Sequence, residues 1–273
     1  MTVTLEGGCR VSEMHDGDPL ADGSLRIWNQ VGHATGAQAI SLRIMEFAPG
    51  LSPGIRNDKR DEILYIVNSW ERGDPVRLSE QRDRTSNLEV LGEILINGHS
   101  YDLPSDTGIY IRPNETFAID NPGPDQIVIV SAQCPDLDAA PEIVTPSTTR
   151  QSGSAAQRSP LVRLADRRAQ PTADRWYRVL VDDEIGSTNA TQFVGSIPPG
   201  RAPDHFHHYE EVLFILKGEG RIWAGETDTP IAAGSCIYLP KGQVHCVENT
   251  GVDELRLLGV FYPAGSPGVR YDA

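Results

Sequence analysis

The chain has 273 residues, 26 Gly, 20 Pro and a formal net charge of −14. That length suits one large domain or two of ordinary size. The acidic balance argues against nucleic acid or an anionic membrane as a partner, because both are polyanions. There is no apolar run of about 18 residues and no charged-then-apolar leader, so a soluble, cytoplasmic protein is expected. Cys9, Cys134, Cys236 and Cys246 include no C-x-x-C pair and are expected to be reduced, structural thiols.

In chain order, residues 1–23 carry little pattern and read as a surface arm. From Ser24 the chain looks like a degraded copy of its own second half. Ser41–Gly50 matches Gln192–Gly200, Asp61–Val67 matches Glu210–Leu216, Gly108–Gly123 matches Ser235–Gly251, and Asp125–Pro135 matches Asp253–Pro263. Repetition on this scale predicts two domains of one fold, with boundaries at 1–135 and 161–273. Residues 136–160, rich in Pro, Ser, Thr and Ala, are expected to be a linker that buries too little to fold alone. The charged insertion Ser69–Asn97 reads as a solvated loop, with a lid as the lesser reading. Leu161–Arg175 is expected to form a turn or two of helix, followed by short strands separated by Gly and Pro turns. That cadence predicts an all-β sandwich or jelly-roll barrel.

The chemistry concentrates in Gly200–Gly218, GRAPDHFHHYEEVLFILKG. His205 and His207 are two residues apart, so on a strand both imidazoles leave the same face. Glu211 heads the apolar run Val212–Leu216, which reads as a buried strand. His245 follows the turn signal Pro240-Lys241-Gly242. Two imidazoles and a carboxylate make most of a divalent metal site, and His245 supplies a further ligand.

These two segments resemble the paired motifs of the cupin family. The first is matched by Gly200, His205, His207, Glu211 and Gly218, the second by Gly234, Pro240, Gly242, His245 and Asn249. The one departure is a residue fewer than usual between Gly200 and His205. The resemblance implies two jelly-roll β-barrels (a bicupin) with one divalent metal on His205, His207, Glu211 and His245. Iron or manganese is preferred from the family, with nickel, cobalt, copper or zinc possible. In the earlier half, alignment on Asp61-Glu62 and on Pro113 puts Arg56, Asp58, Glu62 and Ala118 at the ligand positions. That barrel is therefore expected to have lost its metal and to serve as a packing partner.

Four protein ligands leave one or two positions open on a six-coordinate metal, as a catalytic site needs. Strand alternation predicts a mostly apolar pocket of Leu213, Ile215, Val247, Leu257 and Phe261, with Gln192 and Ser196 as polar candidates. Arg221 and Tyr238 are weaker candidates; His208 and Glu210 are expected at the surface or behind the ligands. The expected partner is a small-molecule substrate, and the chain is expected to be a monomeric pseudo-dimer or a homodimer. The first reading is a dioxygenase acting on an enol, diketone or phenolate. The second is a redox-neutral lyase, isomerase, cyclase or decarboxylase, and the third a non-enzymatic small-molecule binding protein.

Overall fold

The computed structural model describes residues 2–67, 90–146, 159–172, 174–268 and 271–272, the last pair as backbone. Of the expected insertion, the part before Val90 lies outside these residues, and its end is the strand Val90–Ile96. Every strand pairing is antiparallel, and the only helices among the described residues are four short 3-10 turns. The fold is all-β, two jelly-roll barrels, each made of a large and a small sheet. No helix among the described residues is long and apolar enough to cross a membrane.

The later barrel's large sheet runs, edge to edge, Val3–Thr4, Arg10–Glu13, Ser235–Leu239, Glu210–Lys217, Leu255–Tyr262, Thr191–Ile197, Arg175–Val181 and Gln170–Thr172. Its small sheet runs Thr227–Ala232, Glu219–Ala224, His245–Asn249, His205–Phe206 and Tyr271–Asp272. The earlier barrel repeats this plan around Asp61–Val67 and Ile127–Cys134.

Two edge strands are exchanged between the halves. Arg10–Glu13, expected in a surface arm, pairs with Ser235–Leu239 of the later barrel. Leu161–Arg163 pairs with Thr107–Ile111 of the earlier one. The expected helix at Leu161–Arg175 is therefore replaced by this strand, a single 3-10 turn at Leu164–Asp166, and a hairpin at Gln170–Val181. Part of the expected linker, Glu142–Val144, also pairs, against Gly54–Arg56. Each exchange closes a sheet edge that would otherwise present unpaired backbone groups.

The large sheets pack back to back. Ile63, Tyr65, Val128 and Val130 of one half share a core with Val212, Phe214, Leu258 and Val260 of the other. Both faces of these strands are buried, which is why ILYIV and VLFIL are continuous apolar runs rather than alternating ones. Pseudo-equivalent acids anchor the seam. Tyr110 and Asn189 donate to Asp61 at 2.6 and 2.8 Å. Tyr238 and the backbone N–H groups of Gln38 and Ala39 donate to Glu210. Glu210 and Tyr238 thus belong to the seam and not to the surface or the pocket, and Arg221 pairs with Asp228 on the small sheet. All four cysteines are buried and free.

Candidate metal centre

His205 and His245 are directly opposite each other on neighbouring strands of the small sheet. His207 lies just past the end of its strand, held by a hydrogen bond from Gly242 N–H to its carbonyl at 2.8 Å. The glycine in the Pro240-Lys241-Gly242 turn has φ of +80°, so the turn that aims His245 also pins His207. One ligand atom from each of the three histidines lies within 4.8 Å of the others. Glu211 comes from the large sheet, its carboxylate 3.6 Å from His207 Nε2.

Second partners set the tautomers. His205 Nδ1 faces the Pro203 carbonyl at 3.1 Å, and His245 Nδ1 faces that of Gln243 at 2.8 Å. A carbonyl only accepts, so Nδ1 carries the proton and Nε2 is the nitrogen with a lone pair of the kind that binds a cation. His207 Nδ1 is buried without a hydrogen bond, and its ring stacks on Tyr209 at 4.6 Å. Burial, reinforced by the neighbouring imidazoles, lowers His207 to about 3. Burial, with His205 adding to it, lowers His245 to about 4. Burial alone pushes Glu211 up to about 8. Neutral imidazoles around a carboxyl that lacks a positive neighbour are the donor set a divalent transition metal requires.

These groups open on a cavity of about 110 Å³. Ser196, Leu213, Val247 and Leu257 line it, as expected from alternation. Three expected lining residues do not. Gln192 faces the seam, its amide donating to the Leu64 carbonyl at 3.3 Å; Phe193 and Gly195 take the inward positions of that strand. Ile215 has the right parity but sits in packed core beyond the cavity. Phe261 lies behind Tyr209, stacked on it at 4.4 Å, and Tyr209 takes its place in the wall. Ser196 donates to Glu254 at 2.6 Å, so its hydroxyl proton is already engaged. His208 is exposed, against Phe206. Sequence reading missed Arg175, Tyr177, Phe193 and Tyr209. Tyr209 adjoins the His pair and could have been named from that; Arg175 could not, because its stretch was read as helix.

In the earlier barrel other side chains occupy the same place. Asn121 and Asn249 make the same turn, each donating its amide to two backbone carbonyls and accepting from the glycine two residues on. Counting from that turn and from Gly50 and Gly200, which pair with Asn121 and Asn249, the counterparts of His205, His207 and His245 are Ile55, Asn57 and Phe117. Arg56, Asp58 and Ala118, expected from the sequence, are each one residue out, because Asn57 to Glu62 is one residue longer than His207 to Glu211 and Pro113 to Phe117 one shorter than Pro240 to His245. Glu62 is the counterpart of Glu211, as expected, since it pairs with Gln133 as Glu211 pairs with Phe261. Its carboxylate is met by the Arg43 guanidinium at 2.5 Å, Ser131 at 2.6 Å and the amides of Asn57 and Gln133. A guanidinium supplies the positive charge there, and Ile55 and Phe117 join the apolar filling.

The site and the two-barrel frame define a bicupin by fold, with a cupin domain in the later half: residues 193–261 match the family described as Cupin domain. Curated relatives align over part of the chain. Auxin-binding protein 1 of Arabidopsis thaliana is 37% identical over 70 residues, 22% of this chain and 35% of that protein. An oxalate-binding protein of Thermotoga maritima is 39% identical over 66 residues, 23% of this chain and 54% of that protein. The chain thus spans about a third to a half of these relatives. Among solved structures, a variant of oxalate decarboxylase from Bacillus subtilis superposes with a TM-score of 0.68 at 12% identity, covering 93% of this chain and 76% of that one. A structure of the same enzyme from work on its Mn(II) centres gives 0.68 at 12%, covering 94% and 78%.

Proposed function

We propose that the chain is a metal-dependent enzyme of the redox-neutral kind, a decarboxylase or related lyase, acting on a small organic anion in the later barrel. The observation that carries this is the convergence of three imidazoles and Glu211 on a largely apolar cavity. His205, His207, His245 and Glu211 would hold the ion, with manganese preferred because the oxalate decarboxylase of similar fold has Mn(II) centres. When bound, the metal supplies a Lewis acid that polarises a substrate oxygen and steadies negative charge developing beside it. Likeness to decarboxylases and to an oxalate-binding protein supports this reading over the dioxygenase favoured from sequence.

The chain's own groups do the rest. The carbonyls of Pro203 and Gln243 hold the ligand imidazoles in one tautomer. Phe193, Leu213, Val247 and Leu257 keep water from the reacting carbon, which strengthens every charge interaction within the cavity. In a decarboxylation the C–C bond breaks, its electron pair stays on carbon, and a proton is added there. Among the described residues Glu211 is the only carboxyl in the cavity wall and is taken as a ligand, so that proton comes from the phenol of Tyr177 or Tyr209.

The deciding assay runs the manganese-loaded protein with a panel of small keto and hydroxy acids under argon and in air, following release of carbon dioxide. Turnover under argon supports the proposal. Turnover only in air returns the dioxygenase reading, and ligand binding without turnover under either condition makes the chain a binding protein.

A further inference from the structure

The cavity has a second charged end. Arg175 lines it, with its side chain only 12% exposed. On the large sheet Tyr177 pairs with Gly195 and Trp176 with Ser196, so Arg175 comes level with Ile197 on the inward side that Tyr177 shares. Glu211 pairs with Phe261, which pairs with Thr191, six residues of strand away from Ile197, or about 20 Å. On the small sheet, Asn249 bonds the Ile197 carbonyl and lies four residues, about 13 Å, from His245. The guanidinium and the metal ligands therefore approach one cavity from opposite ends. Between them stand Phe193, Leu213, Val247 and Leu257, with no charged side chain among the described residues.

Arg175 is only partly committed. Its Nε donates to Asp174 at 2.9 Å, and the Asp174 side chain is 63% exposed, a carboxylate already served by water. The other guanidinium nitrogens make no hydrogen bond to a described residue. A largely buried guanidinium with donors to spare presents a planar fork matched to a carboxylate or phosphate.

We infer that the substrate carries two anionic groups separated by an apolar body, one bound at the metal end and the other by Arg175. This rests on the proposed function and narrows it: a single compact anion such as oxalate would leave either the fork or the apolar middle unused. Selection would follow from the fork, because a molecule lacking the second anion leaves a desolvated guanidinium unmatched.

The test uses the full chain, with manganese content measured first. Adipate and hexanoate, equal in carbon number, are titrated by calorimetry, as are 4-(carboxymethyl)benzoate and phenylacetate. The expected result is that the two dianions bind more tightly than their monoanionic counterparts by roughly 10- to 100-fold. Arg175→Met should erase that preference by weakening the dianions without weakening hexanoate, and Arg175→Lys should restore part of it. Equal binding of each pair by the wild type, equal loss of both classes in Arg175→Met, or binding of none by manganese-loaded protein overturns the inference and leaves the metal reading standing. Failure of the protein to take up metal overturns both.

Discussion

Arg43→Met would leave Glu62 as a buried carboxylate without its direct guanidinium partner, with Arg60 the remaining cation nearby. The pair is sealed, with 4% and 0% side-chain exposure, so screening by water does not soften the loss. Breaking a buried ion pair by removing one partner costs about 3–5 kcal/mol. Glu62 keeps hydrogen bonds from Ser131, Asn57 and Gln133, which places the expected cost near the lower figure, about 3 kcal/mol. At about 2–4 °C per kcal/mol, the thermal midpoint should fall by about 6–12 °C. Replacing both partners, Arg43→Met with Glu62→Met, should recover most of that stability, because the ion pair is removed as a unit and no carboxylate is left without its partner. Urea and thermal unfolding followed by tryptophan fluorescence measure all three proteins. A single variant that loses less than about 1 kcal/mol, or a double variant as unstable as the single, refutes the reading of Arg43 as the charge that stands in for a metal.

Metal binding should release close to one proton per ion at pH 7. Glu211 is protonated below about 8, whereas His207 and His245, lowered to about 3 and 4, are already neutral. Calorimetry in buffers of different ionisation enthalpy counts the proton; release of none, or of two or more, contradicts the assignment. For the metal-free protein, the lowered His values mean that stability contributed by these groups falls as pH drops below about 6.5, the unfolded value. The raised Glu211 value gives a decline from about pH 4.5 up to about 8, which dominates once the histidines are neutral in both states. These groups together therefore favour a maximum near pH 6.5, and manganese should remove the alkaline decline; chemical denaturation at a series of pH values checks both. Gly259→Ala would set a methyl 2.3 Å from the Phe193 ring. Overpacking should cost about 1–3 kcal/mol in urea unfolding, and a neutral outcome would mean that Phe193 is free to move.

Much of this was readable from residues, because the strongest signals are local. His205 and His207 announce one face of a strand, and Glu211 sits at the head of a run too apolar to be exposed. The repeat was legible because both halves must bury the same strands. What escaped the reading depended on register or on distant contacts. Gln192 was given the wrong face, because nothing in QFVGSI says that Gln192 bonds a carbonyl of the other half instead of lining the pocket. Loops differing in length by one shifted the vestigial positions to Arg56, Asp58 and Ala118, although the paired asparagines Asn121 and Asn249 could have anchored the alignment. The exchange of Arg10–Glu13 and Leu161–Arg163 could not be read from short segments, since only the neighbouring barrel's open edge gives them a partner.

The most direct measurement is metal content per chain, by elemental analysis, for the wild type, His245→Ala and Glu62→Gln after loading with manganese and desalting. Circular dichroism on each sample verifies that it is folded. One ion per chain in the wild type, absent from His245→Ala and retained in Glu62→Gln, is the predicted result. An ion that survives loss of His245, or that departs with Glu62→Gln, would place the metal in the wrong barrel and contradict the account.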